Sequence, residues 1–280
     1  MKQNKKFDKQ KIYEGIRWAI AALLVAVLVT VYLIPLGKKP VKAEMVFLGD
    51  SILASEGSKG YVAERLEEAL GLTVVNGCFG GSSAAWTGTE YDYLSLYSLS
   101  KSIVTGDFSQ QKSTHIDTPA TQYFDSRVEE LAQVDFKRAD ILLIHYGTND
   151  YHMAREIEGE WEHDPYSFLG ALGYAVDVIK ARYPDLRMIL VTPTYTWYLE
   201  QGGTCEDRDF GGGSLEDYVN ALIGFAEEKG LEVIDQYHGL FPDTKPESWS
   251  RYTTDGVHLN DMGNELVAEQ LIDYFLEQRE

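Results

Sequence analysis

Two cysteines and eight prolines in 280 residues are too few for a disulfide scaffold or a proline-rich fibre. No segment recurs at the period of about twenty to fifty residues that marks a solenoid or propeller. Basic side chains are scarce as well: 25 Lys and Arg stand against 44 Asp and Glu, a formal charge of −19. Such a surface repels nucleic-acid phosphates and anionic lipid, so no nucleic-acid partner is expected. The G-x-S-x-G, H-E-x-x-H and G-x-x-x-x-G-K-[ST] patterns are missing, as is a strand-linked G-x-G-x-x-G, so no metal, nucleotide or other cofactor is implied.

Apolar residues are plentiful. They make up 44% of the chain, 12% being aromatic, enough for the core of one ordinary domain. One long apolar run, residues 18–36, carries no charge and matches the roughly 20 residues that cross a hydrocarbon core. Six cations (Lys2, Lys5, Lys6, Lys9, Lys11 and Arg17) precede it and three (Lys38, Lys39 and Lys42) follow. The bias predicts a cytoplasmic basic tail over 1–17, a transmembrane anchor over 18–36, a linker over 37–43 and an external domain over 44–280. The rival reading is a signal peptide cleaved near Val41 and Ala43, which would release a secreted protein; against it, the apolar run exceeds the usual ~7–15 residues of a signal. From Glu44 onward 16 basic residues face 42 acidic ones, so the external domain carries about −26.

Beyond Glu44 short apolar runs alternate with amphipathic stretches, the pattern of a parallel sheet covered on both faces. Strands are predicted at 45–49, 72–76, 141–146, 188–192 and 231–235, and helices near 60–70, 121–134, 166–182, 214–229 and 261–278. Pro184 stops the third helix, Gly230 caps the fourth, and Asp261 stands at the N-cap position of the last. Two stretches, 82–120 and 194–213, read as long loops after strands, where open parallel sheets form their ligand crevice.

Four short motifs fall on that side: GDSIL at 49–53, NGCFGGSS at 76–83, YGTND at 146–150 and DGVHLN at 255–260. A serine in a tight strand-to-helix turn attacks an acyl carbon only if a base takes its proton. His258 is the candidate base for Ser51, and Asp255, three residues earlier, can hold one imidazole nitrogen while the other faces the serine. The oxyanion of the tetrahedral intermediate needs preorganised donors, for which the N–H groups of Ser51 and Gly81 and the side-chain amide of Asn149 are candidates.

The four motifs in this order resemble the sequence blocks of the SGNH/GDSL hydrolase superfamily over roughly residues 44–280. By position, Ser51 matches the family's nucleophile, Gly81 its second-block glycine, Asn149 its third-block asparagine, and Asp255 and His258 its last block. The resemblance implies a three-layer αβα sandwich with five parallel strands in flavodoxin-like order, and a serine esterase acting through an acyl-enzyme. GDSI replaces GDSL, and in NGCFGG either Gly80 or Gly77 could serve in place of Gly81.

Trp86, Tyr91, Tyr93, Tyr195, Trp197 and Tyr198 lie in the two long loops, where they are expected either to meet a sugar or acyl group or simply to pack. His152, just after GTND, is the other candidate for substrate contact; His115, His145, His163 and His238 share no ligand spacing with it. Cys78 and Cys205, one in each of two post-strand segments, are the candidate disulfide pair. The expected substrate is an O-acyl ester on a carbohydrate or cell-envelope glycan. The alternatives are a lysophospholipase-like lipid-ester hydrolase and a surface binding protein that kept the fold without the chemistry.

Overall fold

The computed structural model describes residues 40–55, 59–114, 116 and 122–278, and Val41–Glu280 forms one compact unit. The predicted tail, the anchor over 18–36 and residues 37–39 of the linker lie outside the described residues. Among the described residues no helix is long and apolar enough to cross a membrane.

Five strands form one parallel sheet: β1 (Met45–Gly49), β2 (Val74–Cys78), β3 (Ile141–His145), β4 (Arg187–Val191) and β5 (Glu232–Ile234). Their order, β2-β1-β3-β4-β5, is the flavodoxin-like one. Met45, Val46, Phe47 and Leu48 are all buried, as are Leu142, Leu143, Ile144, Ile189, Leu190 and Val191, because helices deny both faces of the central strands to water. The main helices are α1 (Ser51–Ala54), α2 (Tyr61–Leu70), α3 (Leu96–Thr105), α4 (Phe124–Leu131), α5 (Thr148–His152), α6 (Phe168–Arg182), α7 (Leu215–Lys229) and α8 (Asp261–Glu277). α2 packs along α8, α3 along α6, and α6 against α7, while α4 lies on β2.

Four sequence expectations are corrected. β2 lies two residues later than predicted, because Gly77 and Cys78 continue the ladder opposite Leu48 and Gly49. The stretch 82–120 is not one loop: it holds α3, whose Leu96, Leu99 and Ile103 face the core. Serine hides that periodicity, yet Ser98, Ser100 and Ser102 are buried and satisfied, Ser102 Oγ by Gln111 Oε1 at 2.9 Å and Ser98 Oγ by the Trp86 indole at 2.9 Å. The last helix is capped by Asn260, which accepts from Gly263 N at 3.1 Å, and not by Asp261. Cys78 and Cys205 are two separate buried thiols, one in β2 and the other hydrogen-bonded to Tyr237 at 3.5 Å.

Candidate active site

All four motifs lie at the carboxyl ends of the strands or before α8, and the first three are hydrogen-bonded to one another. β1 ends at Gly49. Asp50 then caps α1, its Oδ1 accepting from Ile52 N at 3.0 Å, and Ser51 opens that helix. The Gly49 carbonyl receives Phe79 N at 2.9 Å and Ser82 Oγ at 3.2 Å, which fixes the second motif against the first. Asn149 Nδ2 donates to Ser82 O at 2.7 Å, and Asp150 accepts from Ala84 N and Ala85 N at 2.9 Å each, which fixes the third against the second. Gly81 turns between them at φ +80°, where a Cβ would also stand 3.0 Å from the Tyr91 ring, so only glycine fits without strain. Gly77, by contrast, is held in the β1–β2 ladder and is not free to offer an amide to the crevice.

The fourth motif is a self-braced loop. Asp255 Oδ1 accepts from Val257 N at 2.9 Å and His258 N at 2.8 Å, while Oδ2 lies 2.6 Å from His258 Nδ1. Partial burial pushes the Asp255 carboxyl up, but the hydrogen bonds from the His258 ring and the two backbone amides outweigh it, and the net shift is downward. An ionised Asp255 thus holds the Nδ1 proton and leaves Nε2 as the basic nitrogen. Nε2 is not hydrogen-bonded to Ser51 Oγ in this structure; free enzymes commonly close this contact only around substrate. Thr254 N to His258 O at 2.8 Å and Trp197 N to Gly256 O at 2.8 Å brace the loop from either side.

His152 lies under the site with its Nε2 2.9 Å from Tyr198 Oη and its ring against Phe210 and Tyr198. Burial holds its pKa below the usual histidine value; the negative charge of Asp50 opposes this and His258 adds to it, so His152 is within electrostatic range of both ends of the site. Tyr195 and Trp197 are 4% and 1% exposed and pack edge-to-face, ring centroids 5.1 Å apart, so they offer no face to a ligand. Trp86 is half-buried, with its indole N–H committed to Ser98. Among the described residues the large aromatic side chains left exposed are Tyr93, Trp161, Tyr166 and Phe210, of which Trp161 lies between the predicted elements and Tyr166 at the start of the predicted helix 166–182.

Arg127 was also missed. It is 2% exposed on α4 and donates to Ala54 O at 2.6 Å and Cys78 O at 2.8 Å, tying the end of α1 to the end of β2. Its signal was periodicity: Phe124, Arg127, Val128 and Leu131 share the apolar face, and a charge there marks a buried duty. Among the described residues one trio has metal-ligand character, Glu162, His163 and Asp177, with ligand atoms within 4.8 Å of one another. Lys229 Nζ already sits 3.1 Å from both Asp177 oxygens and His163 Nε2 2.9 Å from one, so the trio is an ion-paired surface cluster.

The sequence matches the family described as GDSL-like Lipase/Acylhydrolase over residues 47–266. No curated protein relative matches it. Several solved structures share the fold. A Lactobacillus plantarum protein is 18% identical with a TM-score of 0.59, covering 85% of this chain and 98% of its own. A possible lipase from Chitinophaga pinensis is 19% identical (TM-score 0.54; 84% and 98% covered), and an acetyl xylan esterase, AlAXEase, is 18% identical (TM-score 0.50; 82% and 98% covered).

Proposed function

The chain belongs to the GDSL-like Lipase/Acylhydrolase family and is a hydrolase of ester bonds, and from that premise we propose that Ser51 is its nucleophile, served by His258 and Asp255. The observation that carries this reading is the 2.6 Å contact between His258 Nδ1 and Asp255 Oδ2, within a loop that leaves Nε2 open. Ser51 Oγ attacks the ester carbonyl as His258 Nε2 takes its proton, and Asp255 stabilises the imidazolium formed. Ser51 N–H, Gly81 N–H and the Asn149 amide receive the oxyanion; Asn149 spends one of its two hydrogens on Ser82 O and has the other for this task. His258 then protonates the leaving alcohol, and in the second half it deprotonates the water that releases the acid.

The substrate is an O-acyl ester on a carbohydrate or cell-envelope glycan, and the enzyme works outside the membrane that residues 18–36 cross. Supporting this are the cations before that run and the domain's charge near −26, which disfavours anionic lipid surfaces. A panel of acetylated oligosaccharides against long-chain acyl esters, run on wild type and Ser51→Ala, tests the proposal. Hydrolysis of long-chain esters alone would replace the glycan reading with the lipid one. A folded Ser51→Ala that retains more than about a tenth of the rate, where loss of a triad member costs several powers of ten, would overturn the nucleophile assignment. Protease added to intact cells should digest residues 44–280; digestion only after lysis would reverse the topology.

A further inference from the structure

A cavity of about 350 Å³ lies in the segment that follows α5, lined by Arg155, Glu156, Glu160, Trp161, Asp164 and Tyr166 with Ala154 and Ser167. That volume is at the lower end of ligand pockets. Its walls are fixed by backbone bonds: Asp164 N to Trp161 O at 3.2 Å, Phe168 N to Glu156 O at 2.9 Å and Leu169 N to Ile157 O at 2.9 Å.

The wall chemistry is unusual for a surface. Trp161 and Tyr166 are 56% and 51% exposed, although both are large apolar groups. Tyr166 is braced edge-on by Trp86 at 5.7 Å, so its ring is held, not free. Asp164 is 6% exposed; its Oδ1 accepts from Tyr166 N at 3.0 Å, and its Oδ2 accepts from no described residue. Arg155 anchors Nε and Nη2 on Met153 O at 3.1 and 3.0 Å and makes no ion pair with a described carboxylate, even in so acidic a domain. Two aromatic faces, a held carboxylate and an open guanidinium edge match a ring with apolar C–H faces and a rim of hydroxyl donors and acceptors. Three carboxylates and an arginine are too polar a wall for an acyl chain, and the carboxylates exclude a phosphate or another acid.

The cavity joins the active site through bonded neighbours. Arg155 N donates to Asp150 O at 2.9 Å, Met153 N to Asn149 O at 2.9 Å, and Trp86 N to Pro165 O at 2.7 Å. We infer that this cavity is a glycan subsite, holding an uncharged pyranose unit of the polymer whose acyl ester is cleaved at Ser51. The inference rests on the glycan-esterase reading and names where that substrate is gripped.

The test uses the full chain in detergent micelles. Calorimetric titration of the Ser51→Ala protein with cellotetraose, xylotetraose and chitotetraose should show binding of at least one sugar, weakened about tenfold by adding Trp161→Ala and largely restored by Trp161→Tyr. On an acetylated form of that sugar, Trp161→Ala should raise KM about tenfold with kcat unchanged, and 4-nitrophenyl acetate should be cleaved as by wild type. If none of the sugars binds while 4-nitrophenyl acetate is still hydrolysed, the subsite is refuted and the esterase reading stands. If sugar binds in a Trp161-dependent way but no acetylated sugar is hydrolysed, the subsite stands and the substrate assignment falls. Equal effects of Trp161→Ala on both esters would show that the residue acts on the fold and would refute the inference.

Discussion

Gly256→Ala should cripple the enzyme without touching any group assigned to the chemistry. Gly256 lies between Asp255 and His258 at φ +96°, and a Cβ built there would stand 2.2 Å from Trp197 O and 3.1 Å from Trp197 C. The backbone conformation alone costs a non-glycine residue about 1–2 kcal/mol. Relief of the overlap needs a movement of about 1 Å, and overpacking of that kind costs a further ~1–3 kcal/mol. Trp197 cannot yield: it is fully buried, its Nε1 donates to Lys245 O at 3.0 Å, and Phe241 and Tyr252 flank its ring. The loop must move instead, and a 1 Å displacement of a reacting group costs about 10²-fold in rate. Gly230→Ala is the control, since Gly230 has φ +64° with nothing within 4 Å and precedes β5 at the opposite end of the sheet. Urea unfolding and 4-nitrophenyl acetate turnover should show about 1–2 kcal/mol lost with normal kcat for Gly230→Ala, against ~2–5 kcal/mol and about a hundredfold in kcat for Gly256→Ala. Equal stability losses with wild-type turnover in both would refute the idea that Trp197 positions the catalytic loop.

Three further outcomes are expected. Asn149→Ala should lower kcat by about 10²–10³ through loss of an oxyanion donor, and the lost bond to Ser82 O should cost about 1 kcal/mol of stability in the same denaturant series; unchanged kcat would remove Asn149 from the oxyanion hole. Burial, with the charge of Asp50 adding and the Ala84 and Ala85 amides opposing, pushes the Asp150 carboxyl up from 3.8 to about 6. Its contribution therefore favours the native state below about pH 4 and is lost as pH rises through about 6, so wild type should lose on the order of 3 kcal/mol relative to Asp150→Asn between pH 4 and 7; a pH-independent difference would contradict the buried charge. Thiol reagent should count two free thiols in the denatured, unreduced protein and react slowly with the native one, because burial raises both thiol pKa values; a count of zero would restore the disulfide.

Much of the scaffold was legible because burial on both faces leaves a plain record. β1 fell where MVFLG lies between Glu44 and Asp50, and α6 and α7 each began within two residues of expectation. Where polar residues are buried with partners, the record fails. Ser98, Ser100 and Ser102 turned a helix into an apparent loop, and Asn76, which bonds Leu53 O and Lys59 O at 3.0 and 2.6 Å, looked like the end of β2 although the strand runs on. The letters of the site were readable, but the role of an aromatic in a loop was not. Trp197, expected either to meet substrate or to pack, packs and braces the loop that carries His258, while Trp161, flanked by Glu160 and Glu162, is an exposed ring. Sequence marks an aromatic side chain as large and apolar; only the packing shows which of its faces is left to water.

The two acids beside the functional side chains show why the motifs contain more than the reacting groups. Asp50 precedes Ser51 and Asp150 follows Asn149, and both are completely buried. Neither faces the substrate. Asp50 caps the first turn of α1 and so sets the direction of the Ser51 bond, with His145 Nδ1 3.5 Å away; Asp150 receives two consecutive amides and so sets the path of the chain from Gly81 to Trp86. Each carboxylate replaces water that these amides would otherwise need in a crevice from which substrate must expel it. Burying the Asp150 carboxylate is costly, as its raised pKa shows, with burial the main cause and the charge of Asp50 a smaller one, and an apolar or amide side chain would be cheaper for the fold. Asparagine at 150, however, offers one carbonyl oxygen for two amides, so one N–H is left unsatisfied or the loop rotates. Any stability that Asp150→Asn gains at neutral pH should therefore come with a misplaced Gly81 amide and slower turnover, the exchange of stability for site geometry expected where local rules are broken beside an active centre.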